Sequence, residues 1–294
     1  MALEPFNHTD GFLTEGYLLI EAANLQSNQL ERLPQLTSCA PVAFANDTVL
    51  APRLLCLDAI GAEGREIVTE LLGSATEPHC PTVVCAWLKT QASVEMLSSS
   101  IAKFLIGRGP LGDRVFWRYY DPRVFALMAF IFGEEQRRAI LGPIETWAFP
   151  WRRRWWQLPT CMCPTETLND VEIGWPSADQ WDVLQWSAQI NQLHMRLDDV
   201  EPIPVESNVE GIGASIRHFS EAFTYWNLND VSQRCEFAYL SSKYGKAFRD
   251  HINLAGTWQL MRTKQVSWQD LLACLSDQDF RHLERYRTGR VQHD

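Results

Sequence analysis

The segment Arg118-Tyr119-Tyr120-Asp121-Pro122-Arg123-Val124 decides how the first half of this chain is read, because an apolar strand pattern ends there and a helical one begins. Asp121 is a strong N-cap: its carboxylate can accept a backbone N–H one turn into the helix and favours the positive helix end, worth about 1 kcal/mol. Pro122 falls at the first helical position, where a missing N–H is no loss. Upstream, a strand predicted over Arg114 to Tyr120 places Val115, Trp117 and Tyr119 on one face and Phe116, Arg118 and Tyr120 on the other. Arg123 sits in the first helical turn, where a cation is disfavoured unless an acid faces it. Two arginines around one aspartate predict a buried charge network or an edge that accepts an anion. Downstream the helix breaks near Gly133, and a further turn ends at Leu141-Gly142-Pro143, with Gly at the stop and Pro forbidding continuation.

Toward the N-terminus, short apolar runs alternate with helical patterns. Tyr17-Leu18-Leu19-Ile20, Arg53 to Leu57 and Thr82 to Leu88 are apolar on both parities and bounded by polar residues, Gly or Pro, as in strands covered on both faces. Val94, Leu97, Ile101 and Phe104 recur at helical spacing behind Ser93, predicting a helix over 94–106. The expected architecture is an α/β lobe over 1–158, a short mixed sheet with flanking helices. Gly107-x-Gly109-x-x-Gly112 has the glycine spacing of a dinucleotide fingerprint, but it follows a helix and precedes a strand, the reverse of the order that motif requires. It reads as a turn.

After Trp175 the apolar spacing becomes helical throughout, so an all-α lobe is expected over 176–294. Ser177 and Gln180 form a capping box ahead of Val183, Trp186, Ile190, Leu193 and Leu197. Ile212 to Trp226 repeats the pattern, and further helices fit 231–253, 267–275 and 277–286. The boundary is expected within Trp151 to Pro176, which holds three prolines and little periodicity. Asp198 to Asn208 reads as an acidic surface loop, and the residues from Thr288 onward as a frayed end.

The 294 residues, 46% hydrophobic, allow one large or two ordinary domains with a full core and argue against disorder over most of the length. A formal charge of -10 opposes nucleic-acid or anionic-membrane binding through the whole surface. Charge is nevertheless polarised: Lys103 to Arg154 holds ten Lys/Arg against five Asp/Glu, a net of +5, so the rest carries -15 of the total of -10. The eight cysteines contain no C-x-x-C pair, and several lie in apolar runs such as Val83 to Trp87, which reads as buried reduced thiols. Met1 to Asp10 lacks the basic and apolar regions of a signal peptide, and the longest apolar run, Val124 to Phe132, is half a membrane span. A cytoplasmic protein without stable membrane insertion is expected, its sequons at Asn7 and Asn46 idle.

Chemistry-bearing patterns are sparse. G-x-S-x-G, Walker A and H-E-x-x-H motifs are missing, as is zinc-type Cys/His spacing, and Cys161-x-Cys163 reads as a loop with two thiols. His194, His218, His251 and His282 fall on separate predicted helices. No cofactor or metal is expected. Trp147-Ala148-Phe149-Pro150-Trp151-Arg152-Arg153-Arg154-Trp155-Trp156 packs four Trp and three Arg into ten residues. That composition suits a protein hot spot, base stacking or a membrane interface, and equally an interdomain seam of buried indoles. The overall charge weighs against nucleic acid.

At Arg118 to Val124 and Leu141-Gly142-Pro143 with Trp147 beyond, the sequence resembles the adaptor family encoded beside spike proteins of bacterial type VI secretion systems, often called effector chaperones. A Tyr17 to Ala22 strand, the Ala51-Pro52-Arg53-Leu54-Leu55 segment and Ser93 to Ile106 agree, so the resemblance covers roughly 15–156. It implies a non-enzymatic protein that holds one toxin effector and loads it onto the valine-glycine-repeat spike (VgrG), with a variable helical second half. The motif positions are Arg118, Asp121, Pro122, Arg123, Gly142 and Pro143; Ile140-Leu141, where aromatics are frequent, and the Arg152-Arg153-Arg154 run depart from the common pattern. Two other classes stay open: an enzyme with a site around Arg118, Asp121 and Arg123, and an immunity or nucleic-acid-binding protein using the Trp/Arg segment.

Overall fold

The computed structural model describes residues 3–6, 14–33, 36–41, 50–77, 80–158, 170–199 and 207–287, with the backbone alone for 207–210. They divide into two compact units, 1–188 and 189–294. The first unit runs through β1 (Glu4–Pro5), β2 (Tyr17–Ile20), α1 (Ser27–Arg32), β3 (Thr37–Ser38), β4 (Arg53–Cys56), α2 (Ala62–Ser74), β5 (Val84–Lys89) and α3 (Val94–Lys103). A small hairpin follows, β6 (Ile106–Arg108) and β7 (Arg114–Phe116), then α4 (Pro122–Ile131) and α5 (Glu134–Leu141). A second hairpin, β8 (Thr146–Trp151) and β9 (Arg154–Leu158), precedes the short helices α6 (Val171–Gly174) and α7 (Ala178–Leu184). Seven strands form one sheet in the order β1-β9-β8-β5-β2-β4-β3, while β6 and β7 pair with each other. Each described pairing is antiparallel.

Alternation along the strands sorts the apolar residues onto two faces. On one face Leu18, Ile20, Leu55 and Ala148 meet Ile67, Val68, Leu71 and Leu72 of α2 in a single buried cluster. On the other face Trp147 stacks on Phe125 of α4 at 4.5 Å between centroids, and Phe149 meets the same ring edge-on. The runs that read as apolar on both parities are therefore strands buried on both sides. The glycine-spaced segment is the β6–β7 turn, with Gly112 at φ +81°.

The second unit is helical throughout its described residues, beginning within α8 (Ser187–Asp198) and continuing through α9 (Ser207–Thr224), α10 (Val231–Tyr244), α11 (Lys246–Arg249), α12 (Thr257–Arg262), α13 (Trp268–Ala273) and α14 (Asp277–Arg287). Its core gathers Trp226, Phe237, Phe248 and Trp268 around Trp258, with centroids 4.6–6.5 Å from that ring.

Several expected elements are shorter than their patterns. The strand expected over 114–120 stops at Phe116, because Asp121 N–H bonds the Arg118 carbonyl at 3.0 Å and turns the chain. Trp117, Tyr119 and Tyr120, beyond the strand end, are all buried. The 94–106 helix ends at Lys103, since Ile106 already pairs with Phe116. The 231–253 helix is broken at Gly245, φ +57°, and the one through 183–197 at Gln185-Trp186. Asn7, Asn46, Cys161, Cys163, the centre of the 198–208 loop and the end from Thr288 lie outside the described residues.

Candidate functional site

The motif residues converge where β2 ends. The strand pattern stops at Ile20, and Glu21, the next residue, stays bonded to the sheet through its N–H to the Val83 carbonyl at 2.9 Å. Its side chain is 4% exposed. Arg118 Nη2 donates to Glu21 Oε2 at 2.6 Å, and the Tyr120 hydroxyl donates to the same oxygen at 3.1 Å. The Leu50 carbonyl lies equally close to that hydroxyl, at 3.1 Å. Three residues on, Asp121 caps α4: its Oδ1 accepts the Arg123 N–H at 3.0 Å. The same carboxylate takes a two-pronged bond from the Arg123 guanidinium, Nε to Oδ1 at 2.9 Å and Nη2 to Oδ2 at 2.6 Å. Arg118 Nη2 also lies 3.9 Å from Asp121 Oδ2, linking the two pairs.

Two buried acids thus face two arginines whose side chains stand about half in solvent, 45% exposed for Arg118 and 56% for Arg123. The hydrogen bond to Asp121 raises the Arg123 pKa further above its ordinary value. Burial raises the Tyr120 phenol well above its usual range, with the Glu21 charge adding to the effect. Cys85, under the same acids, is raised chiefly by burial and then by Asp121 and Glu21, so the thiol stays neutral and unreactive at physiological pH. Chemically the arrangement neutralises charge. Asp121 is occupied by its own helix and Arg123, and Glu21 by Arg118 and Tyr120, so what the cluster does is pin the start of α4 to the end of β2.

Gly142 and Pro143 act nearby in a related way. Gly142 ends α5 at φ 53°, ψ -119°, a backbone state open to Gly, with its N–H on the Arg138 carbonyl at 3.0 Å. The Pro143 carbonyl accepts the Thr90 hydroxyl at 2.6 Å, docking the helix stop onto the end of β5.

The Trp/Arg segment forms the β8–β9 hairpin. Trp147 and Trp156 are fully buried, and Trp151 and Trp155 are nearly so at 6% each. Trp156 Nε1 donates to the Trp151 carbonyl at 2.8 Å, and Trp147 meets the rings of Tyr119 and Phe125 within the first unit. The indoles are core, the buried alternative that their composition left open beside a docking surface. Arg152 lies over the Trp151 ring at 5.4 Å, and Arg153 and Arg154 are exposed.

Sequence reasoning assembled Arg118, Asp121 and Arg123 but missed Glu21, whose only signal is an acid directly after an apolar strand. Among the described residues no three His, Cys, Asp or Glu side chains gather as a metal-binding group, and no helix is long and apolar enough to cross a membrane. No curated protein and no solved structure matches the chain. Residues 17–139 match the family model described as a domain of unknown function, DUF4123, a similarity that takes in β2, Glu21 and the whole Arg118–Arg123 network and ends before Gly142, Pro143 and the β8–β9 hairpin.

Proposed function

We propose that this chain is a non-enzymatic, cytoplasmic adaptor that binds a toxin effector and loads it onto the VgrG spike of a bacterial type VI secretion system. The observation that carries this reading is the DUF4123 match over 17–139, a family associated with type VI effector adaptors, falling on the residues that build the buried network. That network supports it in a second way: the compact acid and base groups of the first unit are committed to one another across β2 and α4, as in a scaffold. The test is co-purification of the full chain with candidate toxin and VgrG spike proteins of its own source, singly and together. The expected result is capture of both and a ternary complex. A folded chain that captures neither overturns the proposal, and turnover of a small molecule by the pure protein would replace it with an enzyme.

A further inference from the structure

The second unit carries a hollow of about 340 Å³ where the turn between α9 and α10 meets the turn between α12 and α13. Leu228, Met261 and Trp268, all buried, close its floor. Hydrogen bonds fix both turns. In the first, Asn227 Nδ2 donates to the Arg262 carbonyl at 3.3 Å, tying one turn to the other. In the second, Lys264 stands just past the end of α12 at φ 60°, its N–H on the Met261 carbonyl at 2.9 Å. The Gln265 N–H reaches the Leu260 carbonyl at the same distance and closes the helix end.

Most polar groups around the hollow are used by the fold. Asp230 caps α10 through the Gln233 N–H at 3.0 Å, and Asp270 takes the Ser267 N–H and hydroxyl at 2.8 and 2.7 Å. Arg234 and Arg262 lie over the rings of Phe223 and Tyr225, at 5.3 and 4.8 Å. The side chains of Asn229, Lys264 and Gln265 differ: they line the hollow, are exposed, and have no hydrogen-bond or ion-pair partner among the described residues. One ammonium and two carboxamides therefore border the same space, while the carboxylates of Asp230 and Asp270 are occupied. Beside it Phe223, Tyr225 and Val231 are each nearly half exposed, all within three positions of a lining residue.

We infer that this hollow seats an extended segment of a protein partner, with a carboxylate of that segment on Lys264 and its main-chain amides on Asn229 and Gln265; this rests on the adaptor reading and names the surface it uses. Each carboxamide offers donors and an acceptor on one planar group, which matches a main-chain amide. Lys264 supplies the charge complementarity for an acid, which sets partner choice and encounter rate. The open Phe and Tyr rings with their arginines have the composition of protein contacts. A sugar fits less well, because stacking on it takes a free indole face. Trp226 is packed at 4.6 Å against both Tyr225 and Trp258, and Trp268 is buried. Nucleic acid would need many cations at once, where Lys264 is one.

The experiment measures capture of purified candidate toxin and VgrG spike proteins of the chain's own source by full-length wild type, Lys264→Gly and Asn229→Ala/Gln265→Ala. Overlapping peptides spanning the captured protein and, as the sugar probe, chitotriose are then titrated. Lys264→Gly removes the cation and gives the left-handed position its favoured residue, so the melting temperature should hold or rise while binding weakens about threefold or more. The double variant keeps the backbone bonds of both turns and should weaken binding about tenfold. In the peptide that binds, exchanging the acidic residue for its amide should weaken wild-type binding about as much as Lys264→Gly does, and leave binding to Lys264→Gly unchanged. If the wild type captures a partner and both variants match it, the docking hollow is overturned while the adaptor reading stands. Failure of the wild type to capture either protein overturns both. Chitotriose binding that the variants abolish, with protein capture unchanged, overturns the peptide assignment.

Discussion

Arg118 Nη2 donates to Glu21 Oε2 at 2.6 Å across 97 positions of sequence, so the end of the second strand and the approach to α4 are held by one ion pair. Its two ends are unequal. The Glu21 side chain is 4% exposed and the Arg118 side chain 45%, so the acid lies inside the protein and the cation at its rim. Removing the cation leaves a buried carboxylate supported by Tyr120; removing the acid lets Arg118 turn to water.

Arg118→Ala should therefore be more destabilising than Glu21→Gln, which keeps an acceptor for Tyr120. We expect a loss of about 2–4 kcal/mol for the former and about 1 kcal/mol for the latter, the asymmetry following from the cost of an unpaired buried charge. Urea melts of the two variants decide it, and equal losses would mean that leaving the Glu21 carboxylate without Arg118 carries no extra cost.

Asp121→Ala removes both the N-cap of α4 and the two-pronged partner of Arg123. A loss of about 1–2 kcal/mol is expected, and Asp121→Asn, which keeps an oxygen for the Arg123 N–H, should recover about half of it. A denaturant midpoint unchanged by Asp121→Ala would remove the residue from the architecture and return it to a partner surface.

What was legible in the sequence was local. The Asp121-Pro122 start of α4, the Gly142 stop of α5 and the helical second unit follow from neighbours within a turn or two, where capping and periodicity act. Glu21 escaped because its partners lie about a hundred positions away, and no local preference marks an acid after a strand as buried. The β8–β9 hairpin escaped for a different reason. Trp147, Phe149 and Trp151 alternate with Ala148 and Pro150, both parities are buried, and the turn lacks the Asn-Gly signal by which two-residue hairpins are found.

Gly107 is required by packing. A Cβ built there would stand 2.4–2.6 Å from the ring of Trp175, whose Nε1 donates to the Arg108 carbonyl at 2.7 Å. Gly107→Ala must displace that indole, and a loss of about 1–3 kcal/mol is expected with a shift in tryptophan emission. Gly112→Ala, in open space at φ +81°, should cost about 1 kcal/mol through backbone strain and leave the emission unchanged. Combining Gly107→Ala with Trp175→Ala should be less damaging than the sum of the two, and strict additivity would deny the contact.

His218 gives the second unit an acid-sensitive point. It lies on α9 with Nδ1 3.0 Å from the Ser242 hydroxyl of α10, and its pKa is lowered to about 4, first by burial and then by Arg249 and Arg217. The unfolded imidazole titrates near ~6.5, so the unfolded chain binds this proton more readily than the native one. The contribution is fully present above about pH 6.5 and is lost as pH falls from there toward about 4. Between pH 7.5 and pH 5 the wild type should lose about 1–2 kcal/mol that His218→Gln, which never charges, does not lose, after allowing for solvent at the ring's edge. Other titrating groups are common to both proteins and cancel in the difference. Melts of the full chain at the two pH values give the result directly: the gap between wild type and variant should shift toward the variant at pH 5, and a gap independent of pH would show that His218 takes up its proton at the same pH in the folded and unfolded chains.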